Sequence, residues 1–348
     1  MPRLKAEYLN SLCSEILKRS GVSEVDAAIV SENLVEANLK GHDSHGVLLL
    51  PTYVARIGQG IYDVKAKIDI LLDSPSITLL DGNWGFGQVI AKRAMEMAIA
   101  KAKRNGISYV GVRHSNHIGR LGYYAKMALQ EDVIAIMMAN SGGPVAPYGG
   151  KSPIMGTNPI CVAIPSGTFP PLVLDMATSV VAGGKVFDRR ERGEKVPGDW
   201  LIDHQGKPTT DPANYGPGKG TLLTLGGSVG YKGFGLSLVV DILGGILTGA
   251  GITVSKERRP GGNGISIICI DTKQITPVET FKQKTKELIE IVKRSDTRPG
   301  FEEVLVPGEP SSRKEIERFQ NGIEIPESLW RKIEEIAEEL GIDTKSTA

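Results

Sequence analysis

The chain has 348 residues, 41% hydrophobic and 23% charged, the balance of an ordinary globular protein with ample core. Its 41 basic and 40 acidic residues leave a net charge of +1, which excludes a nucleic-acid-coating protein but allows a local basic pocket for a small anion. Three distant cysteines, Cys13, Cys161 and Cys269, form no CxxC pair and fit buried, reduced thiols. The start, MPRLKAEYLN, lacks a signal-peptide apolar core, and "LSLVVDILGGILTGAG" is too short and polar to span a bilayer, so a cytoplasmic protein is expected.

The first 40 residues read as two helices. Leu4, Tyr8, Leu9, Leu12, Ile16 and Leu17 recur at helical spacing, and Gly21 ends that helix. Ser23 and Asp26 open the second with a capping-box-like pair, and Gly41 closes it. From "SITLLDG" onward, strands and helices alternate. "SYVGVRH", "VIAIMMAN", "ICVAIP", "LVLD" and "GISIICID" read as strands. "QVIAKRAMEMAIAKAKRNG", "GRLGYYAKMALQE" and the apolar "KGFGLSLVVDILGGILTG" read as helices, the last buried or at a subunit interface. Helices return at 277–294, 311–320 and 326–340, before an end expected to fray. The expected fold is mixed α and β: a central sheet covered by helices, with a helical unit built from both chain ends. Residues 1–72 with 276–348 form that unit, and residues 73–275 form an α/β domain that binds the cofactor.

Several stretches carry chemistry. "GNWGFGQ" follows a strand and opens a helix, but Gly82, Gly85 and Gly87 do not spell G-x-G-x-x-G, so it reads as a turn rather than a dinucleotide loop. "GSVGYKGFG" sets Lys232 at a helix start, a plausible phosphate seat. "GHDSHGV" places His42, Ser44 and His45 in a tight loop after a helix, which serves either function or a polar turn. "GVRHSNHIGR" gathers His114, Ser115, Asn116 and His117 at a strand end, where α/β proteins place ligands and an imidazole can pass a proton. Asp175 in "LVLDMATS" is either a helix cap or a grip on ribose hydroxyls. Gly308 and Glu309 between prolines form a rigid loop that joins elements or clamps a nucleotide. A rival reading uses His42, His45, His114 and His117 as metal ligands.

In this order, "GHDSHGV", "SNHIGRLGYYA", "GTNPICVAIP", "LVLDMATS", "GYKGFGLSLVVDILGGILTGA" and "PGEPS" resemble the type-2 malate/L-lactate dehydrogenase family, over roughly residues 4–340. That family includes ureidoglycolate and sulfolactate dehydrogenases and diketogulonate reductase. The resemblance is nearest in look to the hydroxycarboxylate dehydrogenases. It implies an NAD- or NADP-dependent oxidoreductase of 2-hydroxy and 2-oxo acids, with a non-Rossmann cofactor fold and a homodimer. It makes His117 the acid/base and puts Ser44 and His45 in the substrate pocket, with His45 the second candidate proton donor. It assigns Ser141, Asp175, Met176, Ala177, Lys232, Gly308, Glu309 and Pro310 to the cofactor and no residue to a metal. Some relatives of this type reduce cyclic imines, the alternative activity.

One departure stands out. Many members read "SHGV-x-R", and here Leu49 occupies the arginine's place. An arginine forks onto a carboxylate, so its loss predicts weaker recognition of small dianions and a bulkier or more apolar acid. Arg56, Arg120, Arg258 or Arg259 are the candidates to replace that charge.

Overall fold

A computed structural model describes residues 1–216, 218–255, 259 and 261–344, without the side chain of residue 191. Arg258 and the last four residues lie outside the described residues. The chain runs β1 (Arg3–Leu4), α1 (Ala6–Arg19), α2 (Glu24–Leu39), α3 (Leu50–Gly58), β2 (Asp69–Asp73), β3 (Ile77–Asp81), α4 (Gly87–Asn105), β4 (Ile107–Ser115), α5 (Leu121–Leu129), β5 (Val133–Asn140), β6 (Ile160–Ile164) and β7 (Leu172–Met176). It continues through α6 (Gly183–Glu191), β8 (Leu201–Ile202), β9 (Pro208–Thr209), β10 (Thr221–Leu222), α7 (Tyr231–Asp241), β11 (Asn263–Asp271), α8 (Val278–Lys293), α9 (Glu309–Asn321), β12 (Ile323–Glu324) and α10 (Glu327–Glu339).

A seven-stranded sheet of order β2-β3-β4-β11-β5-β6-β7 forms the centre. Only β3 and β4 pair in parallel; every other neighbouring pair is antiparallel. Helices α4 and α5 cover it, and their alanine-rich faces (Ala91, Ala94, Ala98, Ala125 and Ala128) pack against Val110, Val112, Ala135 and Ile267. Small side chains there let the helices sit close to the strands.

A second core joins α1, α2 and α3 to the other chain end. Leu9, Ile16, Leu34 and Tyr53 pack with Ile323, Leu329 and Ile333, and β1 pairs with β12. The Ser23 hydroxyl accepts from the Asp26 amide at 3.1 Å and caps α2 as its spacing requires. A third, smaller core around Val145, Leu201, Tyr215 and Leu222 holds the three short strands β10-β8-β9.

The apolar segment from Tyr231 is not one regular helix. It turns into a π-helix at Ile242–Ile246. There the glycine backbone presses on the sheet: a Cβ at Gly244 would meet the Asn140 amide at 2.8 Å. Hydroxyls of Thr248 and Ser266 take the Gly244 and Leu243 carbonyls, each at 2.6 Å. The outer face of the segment leaves Leu238, Val239, Ile242 and Ile246 exposed.

Candidate active site

Where the second core meets the sheet, two histidines from distant segments face each other. His45 ends a 3-10 turn, Asp43–His45, just after α2. Buried Asn38 shapes that turn: its amide donates to Asp43 at 2.6 Å and its carbonyl accepts from the Val47 amide at 2.8 Å. His117 follows the last residue of β4 by two positions. The rings lie 5.8 Å apart, nearly parallel at 21°.

The loop that carries His117 is strapped to the "GNWGFGQ" turn. Asn116 donates to the Trp84 and Gly85 carbonyls at 2.5 and 3.1 Å. A Cβ at Gly87 would overlap the carbonyl oxygens of Asn116 and His117. That glycine therefore serves backbone-to-backbone packing under the histidine. His114 takes another direction, with its Nδ1 2.9 Å from Asp81 and its ring 5.1 Å from that of Trp84, in a structural contact.

Tyr53 of α3 is the partner of His117 that the sequence did not reveal. Its hydroxyl lies 2.8 Å from His117 Nδ1, and Gln88 Nε2 donates to the same oxygen at 2.8 Å. With one lone pair so used, the Tyr53 proton is free to point at Nδ1, where the Gly119 amide also donates at 3.3 Å. Two donors at Nδ1 put the proton of neutral His117 on Nε2. Gln88 Oε1 is buried without a partner.

Burial, then the neighbouring His45 and Arg56 charges, pulls His117 down to about 3. Burial, with Arg120 and Lys185, pulls His45 down to about 4. Both imidazoles are thus neutral near pH 7. Ser44 Oγ lies 3.0 Å from His45 Nδ1. Helix α6 seats against this turn, because a Cβ at Gly184 would overlap the Ser44 side chain. Leu49, in the place of the family arginine, packs against the second core.

A cleft of about 350 Å³ opens at His42, on the turn that carries His45, and is lined also by Lys40, Arg120, Asp175, Gly308 and Pro310 among others. Asp175, Gly308 and Pro310, far apart in sequence, thus meet at one place, at the ends of β7 and α9. Asp175 accepts from the Gly122 amide at 2.8 Å and from Arg120 at 3.1 Å. Burial pushes its carboxyl up, against the pull of Arg120. Arg120 also holds Glu36 at 2.8 Å, and Lys126 joins the same carboxylate. Burial alone would raise Glu36; Arg120 and Lys126 bring it below its ordinary value. A rigid backbone loop and a buried carboxylate beside a cleft suit a ribose and its phosphates.

The remaining expected residues lie elsewhere. Glu309 turns away to Lys293, 2.6 Å distant, and to the Val306 amide at 3.1 Å, which makes it the brace of its loop. Ser141 is tied to Thr157 Oγ1 at 2.8 Å and to the Asn158 amide at 3.0 Å. Lys232 stands exposed at the start of α7, outside the cleft lining. Met176 ends β7 and Ala177 follows it, both half-buried. Among the described residues no three of His, Cys, Asp and Glu converge as a metal ion requires.

The family described as "Malate/L-lactate dehydrogenase" matches residues 4–334. Malate dehydrogenase of Pyrococcus abyssi is 42% identical over 349 residues, covering 98% of this chain and 95% of its own. L-sulfolactate dehydrogenase of Methanocaldococcus jannaschii is 39% identical, covering 98% of both. The crystal structure of malate dehydrogenase from Entamoeba histolytica superposes with a TM-score of 0.94 at 31% identity, covering 98% of this chain and 99% of that one. The chain belongs to the malate/L-lactate dehydrogenase family: it is an oxidoreductase of 2-hydroxy acids that uses a nicotinamide cofactor.

Proposed function

We propose that His117 is the group that gives and takes the proton when this enzyme interconverts a 2-hydroxy acid of the malate, sulfolactate or lactate type and its 2-oxo acid. The chain of contacts from Gln88 through Tyr53 to His117 carries this reading, because it orients one nitrogen and leaves the other for chemistry. When bound, the nicotinamide cofactor supplies or removes the hydride at C2 of the acid.

In the reducing direction, His117 takes up a proton when the anionic substrate is bound, and Nε2–H of that imidazolium donates to the substrate oxygen as negative charge develops there, leaving the neutral ring. In the oxidising direction, Nε2 must accept. The proton then sits on Nδ1 and donates to Tyr53, whose own proton needs an acceptor. Rotation of the Gln88 amide brings its unpartnered Oε1 to that place. The same two side chains thus serve both protonation states of His117. His45, with Ser44 at its Nδ1, faces His117 and is the second candidate for the proton donor; its neutral ring and the Ser44 hydroxyl bind the substrate's polar oxygens.

Asp175, Gly308 and Pro310 of the cleft would hold the cofactor, with Glu309 bracing the loop and Met176 and Ala177 following Asp175 in the chain. Ser141 and Lys232 extend this half of the site only with a cofactor long enough to pass from the cleft to the start of α7. Every lysine and arginine lining the cleft is tied to a carboxylate: Lys40 to Glu315, Lys126 to Glu36, and Arg120 to Glu36 and Asp175. None is spare for a 2′-phosphate, which supports NAD over NADP. The exposed apolar face of α7 supports a homodimer. No described helix is long and apolar enough to cross a membrane, in keeping with a cytoplasmic enzyme.

His117→Ala tests the reading. Turnover of 2-oxo acids falls by roughly 10²-fold or more, while NADH binding, followed by its fluorescence, is retained. Turnover near the wild-type level would remove His117 from the role and pass it to His45.

A further inference from the structure

We infer that Arg56 and Lys185 form a split anion clamp that takes the place of the family arginine at Leu49, and that the clamp selects a 2-oxo acid with two negative groups. This rests on the 2-oxo acid reading above. The observation behind it is the fate of the cations around the histidine pair. Arg120 is buried and held by Glu36 and Asp175. Arg318 is held by Asp43, and Lys126 by Glu36. Arg259 packs its guanidinium on Trp84, 4.7 Å from the ring centre, and donates to the Ile61 carbonyl. None of these is free to hold a substrate.

Arg56 and Lys185 differ. Neither has a carboxylate within 4 Å among the described residues. Arg56 lies on α3 one turn beyond Tyr53, the residue whose hydroxyl touches His117. It is half-buried, with its guanidinium against the backbone of Gly261. Its charge is felt at His117, Tyr53 and Tyr62, whose rings pack together around the site, Tyr53 and Tyr62 at 5.5 Å. A half-buried guanidinium with no carboxylate within 4 Å among the described residues is open to an anionic ligand.

Lys185 lies in the first turn of α6. Its neighbour Gly184 is in contact with Ser44, so α6 brings the lysine to the Ser44–His45 side of the pair, where its charge is felt at His45. Its ammonium is exposed. The charge of Arg56 thus acts at His117 and that of Lys185 at His45, both neutral imidazoles.

The chemistry assigns each cation. The carboxylate at C1 is bonded to the carbonyl carbon whose oxygen takes the proton from His117. The cation next to His117, Arg56, is therefore the C1 partner, and its planar fork suits a carboxylate. The distal carboxylate or sulfonate reaches Lys185, a flexible point charge that accepts either shape. The loss of arginine at position 49 thus moves dianion recognition rather than abolishing it.

The test measures initial rates of the purified full-length enzyme with NADH and either pyruvate, with one anionic group, or oxaloacetate, with two. Arg56→Gln is expected to raise KM for both acids roughly 10- to 100-fold, the worth of a charge-assisted hydrogen bond, with NADH affinity unchanged. Arg56→Lys recovers part of the loss. Lys185→Gln is expected to raise KM for oxaloacetate about 3- to 5-fold, as for a solvent-screened pair, and to leave pyruvate within twofold. A KM unmoved by Arg56→Gln, or an equal rise for both acids with Lys185→Gln, overturns the clamp. If Arg56→Gln does not fold, Arg56→Lys and the Lys185 variant decide alone. Turnover of pyruvate but not oxaloacetate by the wild type refutes the dianion preference and leaves the dehydrogenase reading standing. Turnover of neither acid refutes both.

Discussion

Removing one hydroxyl, in Tyr53→Phe, separates the positioning of His117 from its chemistry. The ring stays in the core, where Tyr53 is 1% exposed, so packing is retained. What is lost is the oxygen that accepts from Gln88 Nε2 and meets His117 Nδ1, each at 2.8 Å. Gln88 is fully buried, so its amide is left without an acceptor, at a cost of about 1–3 kcal/mol. With an unfolding entropy of about 2.1 cal/mol/K per residue, that lowers Tm by roughly 1–4 °C.

The catalytic effect has a separate origin. When His117 is protonated, Nδ1–H needs an acceptor, and Tyr53 is the one in place. Without it the protonated ring is disfavoured by a further 1–3 kcal/mol, roughly 5- to 150-fold in its population. We expect kcat for 2-oxo acid reduction, read from NADH absorbance in single turnovers, to fall by about that factor. The alkaline limb of the pH profile for reduction, where His117 loses its proton, should move to lower pH, and KM for the acid should stay within about twofold. A kcat within twofold of wild type, with an unmoved pH profile, would refute the argument that Tyr53 steers the proton of His117.

Two other outcomes follow from the same geometry. His45 and His117 are held neutral, with folded values near 4 and 3 against an ordinary 6.5. The unfolded chain therefore binds more protons between those limits. The stabilisation is whole above pH 6.5 and is lost as pH falls towards 4 and 3. Thermal melts between pH 7 and 4 should show Tm dropping, with a shallower drop in a His45→Asn/His117→Asn double variant; equal slopes would count against it. Gly87→Ala would press a methyl group into the carbonyl oxygens of Asn116 and His117, which as backbone cannot rotate aside. It should cost about 1–3 kcal/mol of stability and displace His117, lowering kcat; a variant with wild-type kcat would show that the loop yields freely.

The strand-end position of His117 and the polar residues around it made that loop visible in one dimension, and β4 does end at Ser115. The alternation of strands and helices between residues 77 and 176 was equally plain, because each helix there has an apolar stripe and each central strand a buried face. Tyr53 and Gln88 were invisible. An aromatic residue inside the amphipathic "LPTYVARIG" looks like core, and its contact with His117 spans 64 residues. Arg56 stood among four arginines of equal claim; partners in space take up Arg120 and Arg259, and Arg258 lies outside the described residues. Strand β2 escaped notice because all five of its residues are exposed, so no alternation marks it. The strands β8, β9 and β10 have two residues each, too few for any period to register. The π-helix depends on hydroxyls of Thr248 and Ser266, and Ser266 comes from a strand that the helix meets only in space.

The seam between the helical core and the sheet has a practical meaning. One histidine hangs from each side of it, and the tyrosine that steers the proton crosses it. Neither half of the molecule carries the whole of the proposed site without the other, although each has its own apolar interior. A small slip along that seam would silence the protein while leaving both interiors intact. Inactivation by gentle heat or dilute denaturant should therefore run ahead of the loss of helix and sheet.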